Sequence, residues 1–506
     1  MKKNMTKVLV LLLSLVMVLG LASCGGGGDS ETAGKTSIII ATDQDYSTLH
    51  NADTSSTIEN TLTMQIYDTL FQADYEDPTT LVPKLAKEYS VDDSGKCYTF
   101  MLRDDVTWHD GSAFTAADVA FTLDQYAASE YQGAVVDGFD KYEIVDDYTI
   151  KVYTKDVYAP FLHSVATDMN IGCKAYSEAV DAETFAQQPI GCGPYKFVSH
   201  EIGDKVTLQA YDGYYLGEAA IKDVTYKVIS DVASMGMALQ TGEIDFAEID
   251  ASIKSTLEAA EGIQLIEAQQ TTFAFVAMNT EKEPYNNVKF RQAINYAMDR
   301  ESMLASIQEG MGTANSNLLT PGRNGYSEDQ IQYTYDVDKA KALLAEAGVA
   351  EGTDLGKLYV AEQYKLMAQM VQANLEAIGL KTEIEILEFN AYLDKLMKGE
   401  TGITCLQMSL EGDTQQMSMA VCTDYIGMAN NARYSNPDID AAFEKAAKTV
   451  DEEERTAIYE DIFAQVQEEA VYAVLFNPTM LFAANEGLNV HTLPLEGFYW
   501  IYDFAW

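Results

Sequence analysis

The chain has 506 residues, of which 47% are hydrophobic and 22% charged, a composition typical of globular domains and not of disordered, collagen-like or coiled-coil chains. Its length suggests about three domain-sized units. Acidic residues outnumber basic ones by 78 to 33, giving a formal net charge of -45, and such a surface repels phosphate backbones. We therefore expect no nucleic-acid partner.

The N-terminal segment has the pattern of an export signal. Lysines precede an apolar stretch over residues 8–21, which is too short to span a bilayer. The sequence Leu-Ala-Ser-Cys that ends at Cys24 resembles the bacterial lipoprotein signal, in which the cysteine is acylated. We therefore predict a signal peptide over 1–23 and a lipidated, glycine-rich flexible tether over 24–36. The other interpretation is an ordinary signal peptide with a chance cysteine.

The number and spacing of the cysteines and histidines do not favour a fold stabilised by disulfides or by a bound metal. The chain has six cysteines, so lipidation of Cys24 would leave an odd number of thiols and no disulfide scaffold. A single disulfide between Cys405 and Cys422 is compatible with the sequence. None of the thiols has C-x-x-C spacing, and the five histidines are far apart, so we predict neither a metal site nor a bound cofactor.

The first elements of the body alternate in a way typical of strands. Residues 37–41 form a β-branched run that predicts a buried strand, and the polar residues 42–46 predict the loop at its carboxyl end. Two alternating runs, 142–145 and 148–153, flank an Asp-Asp pair and predict a hairpin.

Helical patterns dominate the second half. The spacing predicts a helix over 339–347 that Gly348 ends, and a second helix over 367–378 followed by a strand at 383–386. Asp451 and Glu454 have the spacing of a variant capping box, and they precede an apolar stripe of helical spacing. Helices that alternate with strands predict α/β lobes, with hairpins in at least one of them.

Eight sequence blocks resemble those of the extracellular solute-binding proteins of family 5, the oligopeptide-, dipeptide- and nickel-binding components of ATP-driven importers. The blocks are LVPKLA at 81–86, YTFMLR at 98–103, TWHDG at 107–111, FTAADV at 114–119, GCGPY at 191–195, LQTGEID at 239–245, FRQAINYAMDR at 290–300 and YSNP at 434–437. Each block also has a structural interpretation. The apolar residues of FRQAINYAMDR share one helical face, which predicts a packing helix with a charged outer side.

The resemblance implies a two-lobed α/β fold of the periplasmic-binding-protein type, with two crossing hinge strands and a small extra domain inserted in the first lobe. The crossing segments would be 271–278 and 473–483. The predicted parts are lobe I over 37–66, 190–270 and 484–506, the inserted small domain over 67–189, and lobe II with the hinge crossings over 271–483.

The ligand would lie in the cleft between the lobes, outside the carboxyl ends of the strands. The loop after the first strand offers Gln44, Asp45 and Tyr46 as candidates. In peptide-binding members of the family, an aspartate in the loop that Asp413 occupies pairs with the α-ammonium group of the peptide. A solvated turn residue is the other interpretation of Asp413.

Two further candidates carry a structural alternative. Arg433 could meet a ligand carboxylate, although an exposed ion pair explains an arginine equally well. Trp108 could contact the ligand, whereas its place at the head of a glycine-containing loop favours packing.

The resemblance predicts a binding protein and no catalytic residue. The chain would capture oligopeptides or dipeptides and deliver them to a membrane-embedded permease with its ATPases, as a lipid-anchored monomer on the extracytoplasmic face of the bacterial membrane. A nickel chelate, haem or another solute is the alternative ligand. A surface-anchored hydrolase is disfavoured because the sequence has neither G-x-S-x-G nor H-E-x-x-H.

Overall fold

The computed structural model describes residues 34–75, 80–410, 412–492 and 498–506. Cys24 and the expected signal lie outside the described residues, as does most of the expected tether. Contacts divide the chain into two units. In the first, Nζ of Lys35 lies 4.0 Å from the centre of the Trp506 ring. The second unit contains residues 36–505 and all the strands and helices that follow.

The strands, in chain order, are β1 (Ser37–Thr42), β2 (Phe71–Ala73), β3 (Leu81–Pro83), β4 (Ala86–Val91), β5 (Cys97–Leu102), β6 (Phe139–Asp146), β7 (Thr149–Thr154), β8 (Tyr195–Glu201), β9 (Lys205–Ala210), β10 (Asp223–Val228), β11 (Phe246–Glu248), β12 (Ile263–Gln269), β13 (Phe273–Met278), β14 (Thr313–Ala314), β15 (Asp354–Ala361), β16 (Lys381–Leu387), β17 (Ile403–Met408), β18 (Tyr472–Asn477) and β19 (Thr479–Asn485).

The helices are α1 (Thr57–Ile66), α2 (Ala116–Ala128), α3 (Pro160–Thr167), α4 (Lys174–Ala179), α5 (Ala182–Gln187), α6 (Val232–Gln240), α7 (Lys254–Glu258), α8 (Val288–Ala297), α9 (Arg300–Ile307), α10 (Val337–Glu346), α11 (Lys365–Ala377), α12 (Phe389–Met397), α13 (Ser418–Val421), α14 (Pro437–Lys448) and α15 (Glu452–Glu468).

A seven-stranded mixed sheet organises the first lobe, with the strand order β12-β19-β11-β1-β10-β9-β8. The predicted first strand, β1, lies inside it and runs parallel to β10 and β11. Ile38 and Ile40 are each 1% exposed, because alternate side chains of this strand point into the same apolar layer.

A six-stranded sheet organises the second lobe, with the order β14-β18-β13-β17-β15-β16. Every residue of β13 and β18 is buried. Side chains from α8 and α11 pack on one face of this sheet, and side chains from α12, α14 and α15 pack on the other. A strand covered on both faces reads as an unbroken apolar run, which explains the composition of both segments.

A four-stranded antiparallel sheet, β4-β5-β7-β6, organises the small domain. The predicted hairpin is confirmed as β6 and β7. Side chains from α2 and α3 belong to the same core cluster as Phe100 and Ile150 of the sheet. The domain therefore has its own apolar core.

The chain passes between the two large sheets twice. Strand β12 belongs to the seven-stranded sheet and β13 to the six-stranded one, while β18 and β19 make the reverse passage with Pro478 between them. This confirms the two-lobed α/β class with two crossing connections. The boundaries predicted for the lobes and the inserted domain stay predictions.

The predicted elements of the second half are confirmed as α10, α11, β16 and α15. Gly348 follows α10 with φ of +73°, a conformation that favours glycine. The carboxylate of Asp451 accepts a hydrogen bond from the backbone N–H of Glu454 at 2.9 Å, as a helix cap does.

The prediction of one packing helix over 290–300 with a charged outer side is wrong in two respects. The helix ends at Ala297, and a second one begins at Arg300. Arg291 and Arg300 are only 3% and 7% exposed, and their guanidinium groups donate to backbone carbonyls of neighbouring segments. Burial lowers the pKa of Arg300 to about 9. These two arginines therefore hold the interior together rather than facing solvent.

The disulfide that the sequence left open is absent from the described residues. Cys405 and Cys422 are both free and buried. Burial raises the pKa of both thiols, which keeps them protonated. Within the described part of the chain, no helix is long and apolar enough to cross a membrane.

The TWHDG and GCGPY blocks meet beneath the end of α1. The N–H of Gly191 donates to Nδ1 of His109 at 3.2 Å, so Nε2 carries the proton and donates to the carbonyl of Gly193 at 3.0 Å. A Cβ at Gly191 would lie 1.8 Å from the carbonyl oxygen of Ile66, and one at Gly193 would lie 2.3 Å from that of Tyr67. The two glycines therefore allow backbone to pack on backbone, directly beside the cavity described next.

Candidate functional site

A cavity of about 400 Å³ is lined by residues of both lobes and of the small domain. This volume is within the range of small-molecule binding sites, towards its lower end. The acidic, basic and histidine side chains that line it are Asp68, Lys84, His163, Asp168, Arg323, Asp413, Glu452 and Arg455. The cavity therefore presents both signs of charge to a ligand.

Asp413 follows β17 and lies on the second-lobe wall of the cavity. Its carboxylate caps the short helical turn Thr414–Met417 by accepting from the N–H of Gln415 at 2.7 Å. The same oxygen accepts from the hydroxyl of Tyr459 at 3.3 Å. The other oxygen, Oδ2, lies 3.7 Å from Nη2 of Arg455. The side chain is 8% exposed, so this carboxylate is fixed in position and can still accept a further hydrogen bond.

The loop that carries Asp413 is fixed by Arg323. The guanidinium of Arg323 donates to the carbonyl of Leu410 at 2.5 Å and to those of Gly412 and Asp413 at 3.2 Å. The hydroxyl of Thr414 donates to the carbonyl of Asn324 at 2.8 Å. This wall is therefore prearranged, which reduces the entropy lost when a ligand binds.

Asp168 follows α3 on the small-domain wall, opposite the loop that carries Asp413. A Cβ at Gly412 would lie 4.0 Å from Oδ2 of Asp168. The hydroxyl of Thr167 donates to Oδ1 of Asp168 at 2.7 Å. The pKa of the Asp168 carboxyl is raised mainly by burial, with a further contribution from the nearby Asp413, although His163 and Thr167 act in the opposite direction. Two carboxylates thus face the cavity from opposite sides.

A second polar cluster lies beneath α1. Nζ of Lys84 is 3.4 Å from the carboxylate of Asp68, 3.3 Å from the hydroxyl of Tyr214, and 3.0 Å from the centre of the Trp500 ring. The Tyr214 hydroxyl donates to Asp68 at 2.8 Å. Burial lowers the pKa of Lys84 to about 8, although the neighbouring Asp68 acts in the opposite direction. The cluster is internally paired and close to neutral overall.

Residues 80–424 match the family model described as "Bacterial extracellular solute-binding proteins, family 5 Middle". The chain belongs to this family of solute-binding proteins. Family 5 proteins are the substrate-binding components of ABC importers for peptides, haem and nickel, and the relatives of this chain are binding proteins, not enzymes. The resemblance that the eight sequence blocks indicated is confirmed.

Relatives within family 5 have different ligands. The chain is 29% identical over 447 residues to the haem-binding protein A of Haemophilus influenzae, covering 81% of each chain. It is 27% identical over 477 residues to the glutathione-binding protein GsiB of Pectobacterium atrosepticum, covering 91% of each. The solved structure of HbpA2 from Haemophilus parasuis superposes with a TM-score of 0.86 at 24% identity, covering 93% of this chain and 99% of that one. The structural similarity to HbpA2 supports the fold alone.

Of the six candidate side chains named from the sequence, the structure places Asp413 on the cavity wall and the other five outside the lining residues. Asp45 pairs with His200 at 2.9 Å, and the Tyr46 ring packs against the same histidine with centroids 4.3 Å apart. Gln44 is exposed on the surface.

The remaining two candidates lie in structural positions. Arg433 pairs with Glu281 at 2.6 Å and donates to the carbonyl of Met397. Trp108 is 1% exposed and packs against Phe114 in the core of the small domain. Neither side chain lines the cavity in the described part of the chain.

Sequence reasoning missed Lys84, Asp168 and Arg455. Two of them had a local signal. Lys84 is the charged residue within the apolar LVPKLA block, and Arg455 lies three residues before Ile458 on the apolar face of α15. A charge on an apolar face is either buried with partners or directed into a cavity. Asp168 had no such signal. In the described residues, no group of histidine, cysteine, aspartate and glutamate could hold a metal ion.

Proposed function

We propose that this family 5 protein captures short peptides with a free amino terminus in the cavity between its lobes and delivers them to the permease of an ABC importer. The α-ammonium group of the peptide would bind Asp413. The observation that supports this proposal is the placement of Asp413, held by its own turn on the wall of a cavity into which Asp168 also faces. A cation desolvated in such a cavity needs a carboxylate partner to offset the cost.

The size of the cavity and the relatives support a short peptide. About 400 Å³ is at the lower end of the range of small-molecule sites. Glutathione, the ligand in the name of one relative, is a tripeptide with a free ammonium group. A haem or a nickel chelate is the alternative. Mass spectrometry of the compound that co-purifies with the protein distinguishes these classes directly.

The test is calorimetric titration of tri-alanine into the wild type and Asp413→Ala. Removing one partner of a buried charge pair costs about 3 to 5 kcal/mol, which corresponds to a loss of affinity of about 100-fold or more. N-acetyl-tri-alanine should bind the wild type with a similar loss, and the two losses should not add, because both remove one contact. Asp231→Ala is the matched control, since Asp231 also caps a helix but is exposed outside the cavity. Equal affinity of the wild type for tri-alanine and its acetylated form would refute this recognition.

We further propose that lipidation of Cys24 anchors the protein at the extracytoplasmic face of the membrane, where it works as a monomer with the permease and its ATPases. The Leu-Ala-Ser-Cys signal and the glycine-rich tether support this proposal. Cys24→Ala should release the protein into the soluble fraction or leave the precursor unprocessed. A variant that stays membrane-bound and normally processed would refute the anchor.

A further inference from the structure

We propose that the guanidinium group of Arg455 binds an oxygen atom of the ligand, a peptide carbonyl or a carboxylate, next to the ammonium group at Asp413. This inference rests on the proposed function and adds a second ligand contact to it.

The first observation is that the guanidinium of Arg455 is buried without hydrogen-bond partners. The side chain is 10% exposed and lines the cavity. Its Nε has no hydrogen-bond partner, and the group donates no hydrogen bond to any residue that the structure describes. The nearest carboxylate oxygen, Oδ2 of Asp413, lies 3.7 Å from Nη2, which is longer than a hydrogen bond. A buried donor left unsatisfied is costly, so a ligand acceptor is expected.

Other buried arginines of the same lobe show what a structural role requires. Nε and Nη2 of Arg291 donate to the carbonyl of Glu469 at 3.0 and 2.7 Å. Arg300 donates to the carbonyls of Val474 and Tyr333 at 2.6 and 2.8 Å. Both side chains are satisfied by the fold itself. Arg455 is buried to a similar degree and lacks these partners, so its position is explained by a group that enters the cavity.

A second unsatisfied atom lies on the same wall. Oδ1 of Asn324 is buried without a hydrogen-bond partner in the described residues, and Asn324 also lines the cavity. Its backbone carbonyl accepts a hydrogen bond from the hydroxyl of Thr414, the residue after Asp413. The wall therefore offers a free donor at Arg455 and a free acceptor at Asn324. A peptide group carries the complementary pair, an oxygen and an N–H.

The arrangement of Asp413 and Arg455 fits the end of a peptide chain. The ammonium nitrogen and the first carbonyl oxygen of a peptide are borne on adjacent carbon atoms, so they can meet neighbouring groups of opposite charge. A γ-glutamyl peptide such as glutathione presents a carboxylate in place of that carbonyl. The shared chemistry is an oxygen acceptor beside an ammonium group, and both sources satisfy the guanidinium. The bond to a carboxylate is the stronger one because both partners are charged.

The experiment compares the wild type with Arg455→Gln by calorimetric titration. The probes are tri-alanine with its analogue in which sulfur replaces the first carbonyl oxygen, and glutathione with 4-aminobutyryl-cysteinyl-glycine, which lacks the carboxylate. The wild type should bind one parent at least tenfold more tightly than its analogue, and Arg455→Gln should bind that parent and its analogue equally. The pair that loses discrimination identifies the oxygen as carbonyl or carboxylate. Arg103→Gln is the matched control, because Arg103 pairs with Asp105 outside the cavity lining.

The outcomes separate the two proposals. If Arg455→Gln retains the discrimination of the wild type, the role of Arg455 is refuted while the peptide assignment stands. If the variant loses discrimination and keeps its urea midpoint without ligand, the inference is supported. If its midpoint falls while the discrimination stays, Arg455 is structural and the inference is wrong. A wild type that binds neither parent refutes the peptide assignment, and this inference with it.

Discussion

The imidazole of His109 should make the stability of this protein depend on pH between about 4 and 6.5. Burial lowers the pKa of His109 from its ordinary value of 6.5 to about 4, although the hydrogen bond to the Gly193 carbonyl opposes this effect. Below pH 6.5 the unfolded chain therefore takes up a proton that the folded chain does not. The free energy of unfolding must then decrease as the pH falls, until the folded form is protonated at about pH 4.

The size of this effect follows from the difference between the two pKa values, which corresponds to about 3 kcal/mol. The full penalty applies below pH 4, and none applies above pH 6.5. Protonation also removes the acceptor at Nδ1 that the N–H of Gly191 uses. His109→Gln keeps a polar group but does not titrate. At pH 7 it should be less stable than the wild type by about 1 to 3 kcal/mol, because a buried hydrogen bond is lost.

The assay is equilibrium urea unfolding of the chain from Gly34 onward at pH 7, 5.5 and 4. The stability advantage of the wild type over His109→Gln should shrink by about 3 kcal/mol across this range. His491→Gln, at an exposed histidine, is the matched control and should follow the wild type at each pH. A difference between wild type and His109→Gln that does not change with pH would refute the argument.

Two further substitutions test the packing that supports the cavity. Gly191→Ala would place a Cβ 1.8 Å from the carbonyl oxygen of Ile66, so it should lower the free energy of unfolding by at least about 3 kcal/mol. Gly133→Ala is the control. Its Cβ would lie 3.5 Å from the nearest atom, so the free energy of unfolding should change little. Arg300→Lys cannot reach all the carbonyls to which the guanidinium donates. Urea unfolding should therefore show a loss of stability above about 2 kcal/mol.

The fold could be predicted because its signals are local or ordered along the chain. The Asp-Asp pair between alternating runs identified the β6–β7 hairpin, and Asp451 identified the start of α15. The eight sequence blocks identified the lobes through their order. The residue types in these blocks are explained by packing. Positions 191 and 193 require glycine because another backbone segment lies where a Cβ would be.

The site could be predicted only in part. The rule that ligands bind beyond strand ends indicated the loop after β17, and the family resemblance indicated Asp413 within that loop; the structure places this residue on the cavity wall. The same rule indicated Asp45. Its carboxylate is instead hydrogen-bonded to His200 and to the N–H of Gly203, both in the hairpin of β8 and β9. Asp168 reaches the cavity because α3 packs against the small-domain core, a tertiary contact without any local pattern.

The free energy of the closed arrangement depends on the charges of Asp413 and Asp168, which face the cavity from opposite sides. Asp413 belongs to the second lobe and Asp168 to the small domain, and their proximity contributes to the raised pKa of Asp168. An arrangement that brings like charges together costs free energy unless a cation or a proton lies between them. Arg455 reduces this cost on one side only, since it neighbours Asp413. A ligand ammonium group would offset the rest, so a cationic ligand would favour the closed arrangement through its differential affinity, which an uncharged ligand of the same size would lack.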